Sequence, residues 1–179
     1  MKKQVITAAL CGAALVATLG LAGCGASLDR DVEVQGMTLS VPSDWAQEAD
    51  DSNTDTSGTV AFEKATDDED DPYTAIVVRY EASADDAPAN AQEAIALKQQ
   101  TMEDEQGVTR WSIDEESDEI IDGAHATTYE YSFDKEIDHV SKTYEFKTAY
   151  VFDEGMIYEI SVYGDDAPID KVMESVELP

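Results

Sequence analysis

The densest run of potential metal ligands is Asp67, Asp68, Glu69, Asp70 and Asp71, a contiguous acidic stretch that ends at Pro72. Hard oxygen ligands clustered on a loop suit a hard cation, calcium above all, with Asp67, Asp68, Asp70 and Asp71 as the candidate ligands. An EF-hand loop needs alternating ligands, a central glycine and a distal glutamate, and here the acids are contiguous, so a solvated loop is the plainer reading. His125 and His139 are the two histidines. Neither has a His-x-x-x-His partner, and each reads as a surface or turn residue rather than a base or ligand. No Gly-x-Ser-x-Gly elbow and no phosphate-cradling glycine loop occurs. The two thiols, Cys11 and Cys24, lie near the N-terminus, so the rest of the chain has no cysteine for a disulfide, a thiolate metal site or a nucleophile.

Cys24 has its own context. Lys2 and Lys3 precede an apolar or small-residue run from Val5 to Ala22, and Leu21-Ala22-Gly23 supplies small residues for a cut just before the cysteine. This segment resembles the lipobox of bacterial lipoproteins. The resemblance implies that Leu21, Ala22 and Gly23 are read by the lipoprotein signal peptidase and that Cys24 is diacylated and becomes the first residue. An uncleaved anchor or an ordinary signal peptide is the alternative, but the run is short and richer in Ala and Gly than a stable span. Two acyl chains make a durable tether, since each buried methylene contributes about 0.8 kcal/mol. The expected organisation is a signal peptide over 1–23, a lipidated cysteine and short tether over 24–31, and one domain over 32–179. A tether this short holds the domain close to the membrane, facing outside the cytoplasm. The sequence fits a single- or a double-membrane cell; in the latter, Gly25 lacks the aspartate that marks inner-membrane retention, so delivery to the outer membrane stays open.

Charge narrows the partners. The chain carries 11 basic and 40 acidic residues, a formal charge of −29, and loss of Lys2 and Lys3 leaves nine bases against 40 acids, or −31. Nucleic acid is excluded as a partner, because its phosphates would be repelled and no basic patch with interleaved aromatics offsets that. Anionic headgroups are repelled too, so the body stands off from its own bilayer. A monomer with a solvated surface is expected; a weakly bound cation or a basic partner is the functional alternative.

The positioning elements are mainly strands. Val32 and Val34, then Gln35-Gly36, then Met37, Leu39 and Val41 read as a hairpin, with Pro42 ending it and Trp45 delivered to the core. Residues 46–58 read as an exposed loop, followed by strands over Thr59–Lys64 and Tyr73–Tyr80. Ala89–Gln106 has no Gly or Pro and reads as the long helix, with Ala91, Ala94, Ile95, Lys98 and Met102 on one face and Leu97 beside it. Lys98 is expected to snorkel along the sheet edge, its ammonium reaching water or a carboxylate. Gly107 ends the helix. Strands are expected at Val108–Ile113, Glu119–Ile121 and, after Asp122-Gly123, Ala124–Phe133. After a charged loop over Asp134–Ser141, Tyr144, Phe146, Thr148, Tyr150 and Phe152 share one strand face. Past Asp153-Glu154-Gly155, Met156, Tyr158, Ile160 and Val162 share one face, and Ile157, Glu159, Ser161 and Tyr163 the other. A short helix closes the chain, capped at Asp166, with Pro168 in its first turn and Ile169, Val172, Met173 and Val176 on one stripe.

This order gives an α+β fold, an antiparallel β-sheet sandwiched with one long and one short C-terminal helix. The stretch Gly36-Met-Thr-Leu-Ser-Val-Pro42-Ser-Asp-Trp45, with the closing strand pair and helix, resembles the PsbP-like, or Mog-type, αβ sandwich found in small lipoproteins of the DcrB and LpqN types. The resemblance implies an architecture and a non-catalytic accessory or binding role, and carries over no functional residue. The leading expectation is therefore an envelope lipoprotein that binds a protein or small ligand, not an enzyme, with Trp111 or Tyr163 as groove-lining rings if the core does not take them. A calcium-responsive module and a hydrolase with dispersed catalytic residues are the alternatives.

Overall fold

The computed structural model describes residues 27–65, 74–85, 87–104, 108–137, 140–164 and 169–179. Cys24 with Leu21, Ala22 and Gly23, the acidic run with Asp67, Asp68, Asp70 and Asp71, and also Gly107, His139, Asp166 and Pro168, lie outside the described residues.

Among the described residues, the alternating stretches form nine strands. They are β1 (Leu28–Val34), β2 (Met37–Pro42), β3 (Ala46–Ala49), β4 (Ser57–Glu63), β5 (Ala75–Ala82), β6 (Val108–Ile121), β7 (Ala124–Ile137), β8 (Val140–Asp153) and β9 (Met156–Tyr163), with helices α1 (Ala91–Glu103) and α2 (Ile169–Glu174). β1 and β2 make a separate two-stranded hairpin, and the other seven form one antiparallel sheet in the order β3-β4-β5-β9-β8-β7-β6.

Period-two alternation gives this sheet two apolar faces, and each is covered differently. On one face Val60, Phe62, Ile76, Val78, Ala149, Val151, Tyr158, Ile160 and Val162 pack against Met37, Leu39 and Val41 of the hairpin, Trp45, and Val172, Met173 and Val176 at the C-terminal end. On the other face Tyr129, Tyr131, Phe133 and Tyr150 pack against Ala91, Ala94 and Ile95 of α1. The layers are thus α1, sheet, and hairpin with α2. The expected α+β architecture stands, with the two helices on opposite faces and α2 sharing its layer with the hairpin.

The boundaries differ in instructive places. β1 begins at Leu28, inside the stretch 24–31 read as tether, because Asp29 accepts hydrogen bonds from the Ser43 amide and hydroxyl and Arg30 donates to the Trp45 carbonyl at 3.1 Å. Residues 46–49 are a short edge strand although all four are exposed, since pairing with β4 needs only backbone groups. α1 is shorter than 89–106. Asn90 caps it by accepting from the Glu93 amide at 3.0 Å, while the Glu93 carboxylate accepts from the Ala89 amide at 2.9 Å, a reciprocal arrangement that fixes the start.

The two short strands expected at Val108–Ile113 and Glu119–Ile121 are one strand. The acidic residues between them stay in register with β7 because a bulge near Asp114 absorbs the change of pattern, and Asp114 accepts from Ser112 and Ser132. The loop expected at Asp134–Ser141 is mostly strand, with pairs running out to Ile137 and Val140. Three hairpin turns, Gln35-Gly36, Asp122-Gly123 and Glu154-Gly155, have both residues at positive φ, the geometry that matches strand twist. At the C-terminus Glu177 exchanges two backbone hydrogen bonds with Thr38, and Ser175 Oγ accepts from the Ser40 amide, so α2 and the hairpin are locked together.

Candidate functional site

α1 covers the β6–β8 half of its sheet face and stops short of β5 and β4, where Ser57, Arg79 and Glu81 remain exposed. Along that boundary runs a groove of about 610 Å³. Ala94, Leu97, Lys98, Thr101 and Met102 form its helical wall, Tyr131, Phe133, Phe146 and Tyr163 its aromatic wall, and Tyr150, Glu159, Arg79 and Thr59 its floor. The volume lies within the range of small-molecule sites, which combine a mostly apolar lining with a few placed polar groups.

Strand register explains the floor. Tyr150 on β8 pairs with Glu159 on β9, Glu159 with Arg79 on β5, and Arg79 with Thr59 on β4, so the four side chains stand in one row across neighbouring strands. The adjacent row holds Thr148 and Ser161, and the next Phe146 and Tyr163. The rings continue sideways as a ladder: Trp111 stacks on Tyr131 at 4.6 Å, Tyr131 on Phe146 at 5.1 Å, and Phe146 meets Tyr163 edge-on at 4.5 Å. Of the two rings singled out in the sequence, Tyr163 lines the groove and Trp111 supports it from behind.

Lys98 is the residue that sequence reading placed and half understood. Its methylenes are buried as expected, but its ammonium lies over β9, the middle strand of seven, and not at the sheet edge. There it pairs closely with Glu159 Oε1, lies 3.3 Å from Ser161 Oγ, and sits 5.6 Å from the centre of the Tyr131 ring. The same Oε1 accepts from Ser161 Oγ at 3.0 Å and lies 3.6 Å from Arg79 Nη1. Ser161 Oγ and Thr148 Oγ1 are 2.8 Å apart, and Thr148 reaches the Tyr131 hydroxyl at 3.5 Å.

These contacts set the protonation states. Burial alone would push the Glu159 carboxyl up; the Lys98 ammonium, the Arg79 guanidinium and hydrogen bonds from Lys98 and Ser161 overcome it and hold the group below its ordinary value. Burial pushes the hydroxyls of Tyr131 and Tyr150 well above the usual tyrosine range and raises that of Tyr163. The Tyr150 hydroxyl is buried without a hydrogen-bond partner, a state that costs about 1–3 kcal/mol when nothing fills it.

The other sequence candidates do not join this site. His125 is exposed on β7 opposite Ile120. A second, more open recess is bordered by Glu33, Asp153 and Glu154 with Tyr158 and Pro179. Among the described residues no three His, Cys, Asp or Glu side chains are grouped to hold a metal ion. No helix among the described residues is long and apolar enough to cross a membrane. The signal for the groove was present in the sequence as Glu159, the single charge of β9, and Arg79, which with Glu81 follows the apolar run of β5, but their convergence on Lys98 needs the strand order.

Comparison with known proteins bears on the fold. No protein-family model matches the chain, and no curated protein matches it significantly. Among solved structures, cyanobacterial PsbP (CyanoP) from Synechocystis sp. PCC 6803 superposes with a TM-score of 0.60 at 13% identity, covering 90% of this chain and 99% of that one. The Ran-binding protein Mog1p of Saccharomyces cerevisiae superposes with a TM-score of 0.51 at 14% identity, covering 83% and 94%. The chain therefore has a PsbP- and Mog1-like α+β fold, built on a mostly antiparallel sheet with one mid-chain helix and one short helix near the C-terminus.

Proposed function

We propose that this protein is a lipid-anchored envelope lipoprotein whose domain is a non-catalytic binding module, with the groove between α1 and the central strands as its binding site. The observation that carries the reading is the groove itself: an apolar, aromatic-walled cleft of ligand size with a charged row at its floor. Its chemistry favours holding over turnover. Glu159 is kept ionised by two cations, which makes it a weak base, and Ser161 Oγ donates to that carboxylate instead of standing next to a proton acceptor poised near neutrality. The leader and Cys24 supply the location, outside the cytoplasm and close to the membrane, and the −29 charge supports a monomeric, well-solvated body.

The test is recovery of the protein from its own envelope, followed by mass spectrometry of the small molecules that accompany it, with Thr59→Trp as the control. Thr59 lies on the uncovered part of the sheet, so an indole there fills the groove and leaves both apolar cores intact. A compound enriched with the natural protein and lost with Thr59→Trp is expected; identical profiles would overturn the groove as the site. Labelling with palmitate in the same cells should mark the natural protein and not Cys24→Ser, and label persisting without Cys24 would overturn the anchor.

A further inference from the structure

The ionisable groups of the groove are two cations, Arg79 and Lys98, and two carboxylates, Glu159 and Glu81, and they are unevenly placed. Lys98 and Arg79 both converge on one carboxylate oxygen, Glu159 Oε1, which also accepts from Ser161. The Lys98 side chain is only 11% exposed and Glu159 16%, whereas Arg79 is 51% exposed and Glu81 faces solvent, so both cations gather at the one inner carboxylate while the second carboxylate stays at the rim, in a chain with 40 acidic residues and only 11 basic ones. Two cations that share one carboxylate oxygen in a partly desolvated cleft repel each other, and an anion placed beside them relieves that cost. The hydrogen-bond inventory leans the same way. Arg79 is 51% exposed, so its guanidinium is reachable from the open side, and across Glu159 in the same row the buried Tyr150 hydroxyl has no hydrogen-bond partner. Glu159 Oε1, the natural acceptor at the floor, is already occupied three times over. A donor-rich floor under an apolar wall selects an acceptor head on an apolar body.

We infer that the groove takes a small organic acid: a carboxylate seated against Arg79, Lys98 and the Tyr150 hydroxyl, with an aryl or alkyl body lying along Leu97, Phe146 and Ile157. The inference rests on the reading of the groove as a binding site and adds the chemical class of what it binds. A cationic ligand is disfavoured, because it would have to displace Lys98 or Arg79 from Glu159 Oε1 and would sit beside both of them. Glu81 is the opposing charge. It lies at the solvent side of the groove on the row next to Arg79 and is exposed, so water and salt weaken its repulsion of an acid.

Three compounds with one body and three heads test this: 4-phenylbutyrate, 4-phenylbutylamine and 4-phenylbutanol, titrated calorimetrically against the full-length protein in lipid nanodiscs, with empty nanodiscs subtracted. The acid is expected to bind below millimolar and at least about tenfold tighter than the amine and the alcohol. Arg79→Gln should weaken the acid about fivefold, and Glu81→Gln should tighten it by up to about threefold. Both side chains are exposed, and unchanged melting temperatures show that the fold is kept. Tighter binding of the amine, or equal binding of all three with no response to either substitution, would overturn the acid while leaving the groove a binding site. No binding by any of the three at millimolar concentration would overturn the acid and the groove reading together.

Discussion

Glu159 is a charged residue on the central strand of the sheet, and it stays charged because two cations and a hydroxyl meet its Oε1. Its folded value lies below the ordinary 4.5, so its contribution to stability is present above that pH and is lost as pH falls through the folded value. Glu159→Gln leaves the buried Lys98 ammonium without its main partner and should cost about 3 kcal/mol at pH 7, as breaking a buried pair does. Urea unfolding of both proteins from pH 7 down to pH 3 should show the gap closing below pH 4.5; a gap that stays constant would mean that the carboxylate is not held ionised by Lys98 and Arg79. At this scale the sequence was partly legible. The apolar stripe of the helix placed Lys98 on the sheet side, and alternation placed Glu159 on the same face as Ser161 and Tyr163. What joined them was hidden, because β9 pairs with β5 and β8, and no local pattern shows that the last strand is inserted beside the third strand of the same sheet.

The elements owe their limits to caps and turns more than to propensity. α1 starts where Asn90 and Glu93 exchange bonds, and the long β6–β7–β8 ribbon is set by turns with both residues at positive φ. Gly123 is a direct probe: its φ is +86° and nothing lies within 4 Å of where a Cβ would stand, so Gly123→Ala introduces backbone strain and no clash. It should cost about 1 kcal/mol in urea unfolding, with Gly123→Asn costing less, because a left-handed conformation penalises Ala more than Asn. An alanine variant as stable as the natural protein would contradict the turn assignment. The strand expectations failed where acidic residues interrupt alternation, at 114–118 and 134–136. Those charges lie on strands whose other groups are paired, and on β6, the edge of the sheet, Asp114, Glu115, Glu116, Asp118 and Glu119 guard an unpaired backbone against edge-to-edge association.

For the whole molecule, a net charge of −29 spread over a surface that folding compacts is a standing repulsion. Added salt should therefore raise the melting temperature, and calcium and magnesium at matched ionic strength should raise it equally; a rise of several degrees specific to calcium would instead make the Asp67–Asp71 run a cation site. That helices pack on an antiparallel sheet was legible from alternation and the two helical stripes; which face each covers was not, nor was the groove, since it exists only because α1 covers part of its sheet face and stops. That groove is the centre of the account, and amide chemical shifts of the labelled full-length protein in nanodiscs, followed during addition of 4-phenylbutyrate, test it most directly. The account predicts movements confined to Arg79, Leu97, Lys98, Tyr150, Glu159 and their neighbours, with the hairpin and α2 unmoved. Movements centred on the hairpin and α2, or none at saturating ligand, would contradict it.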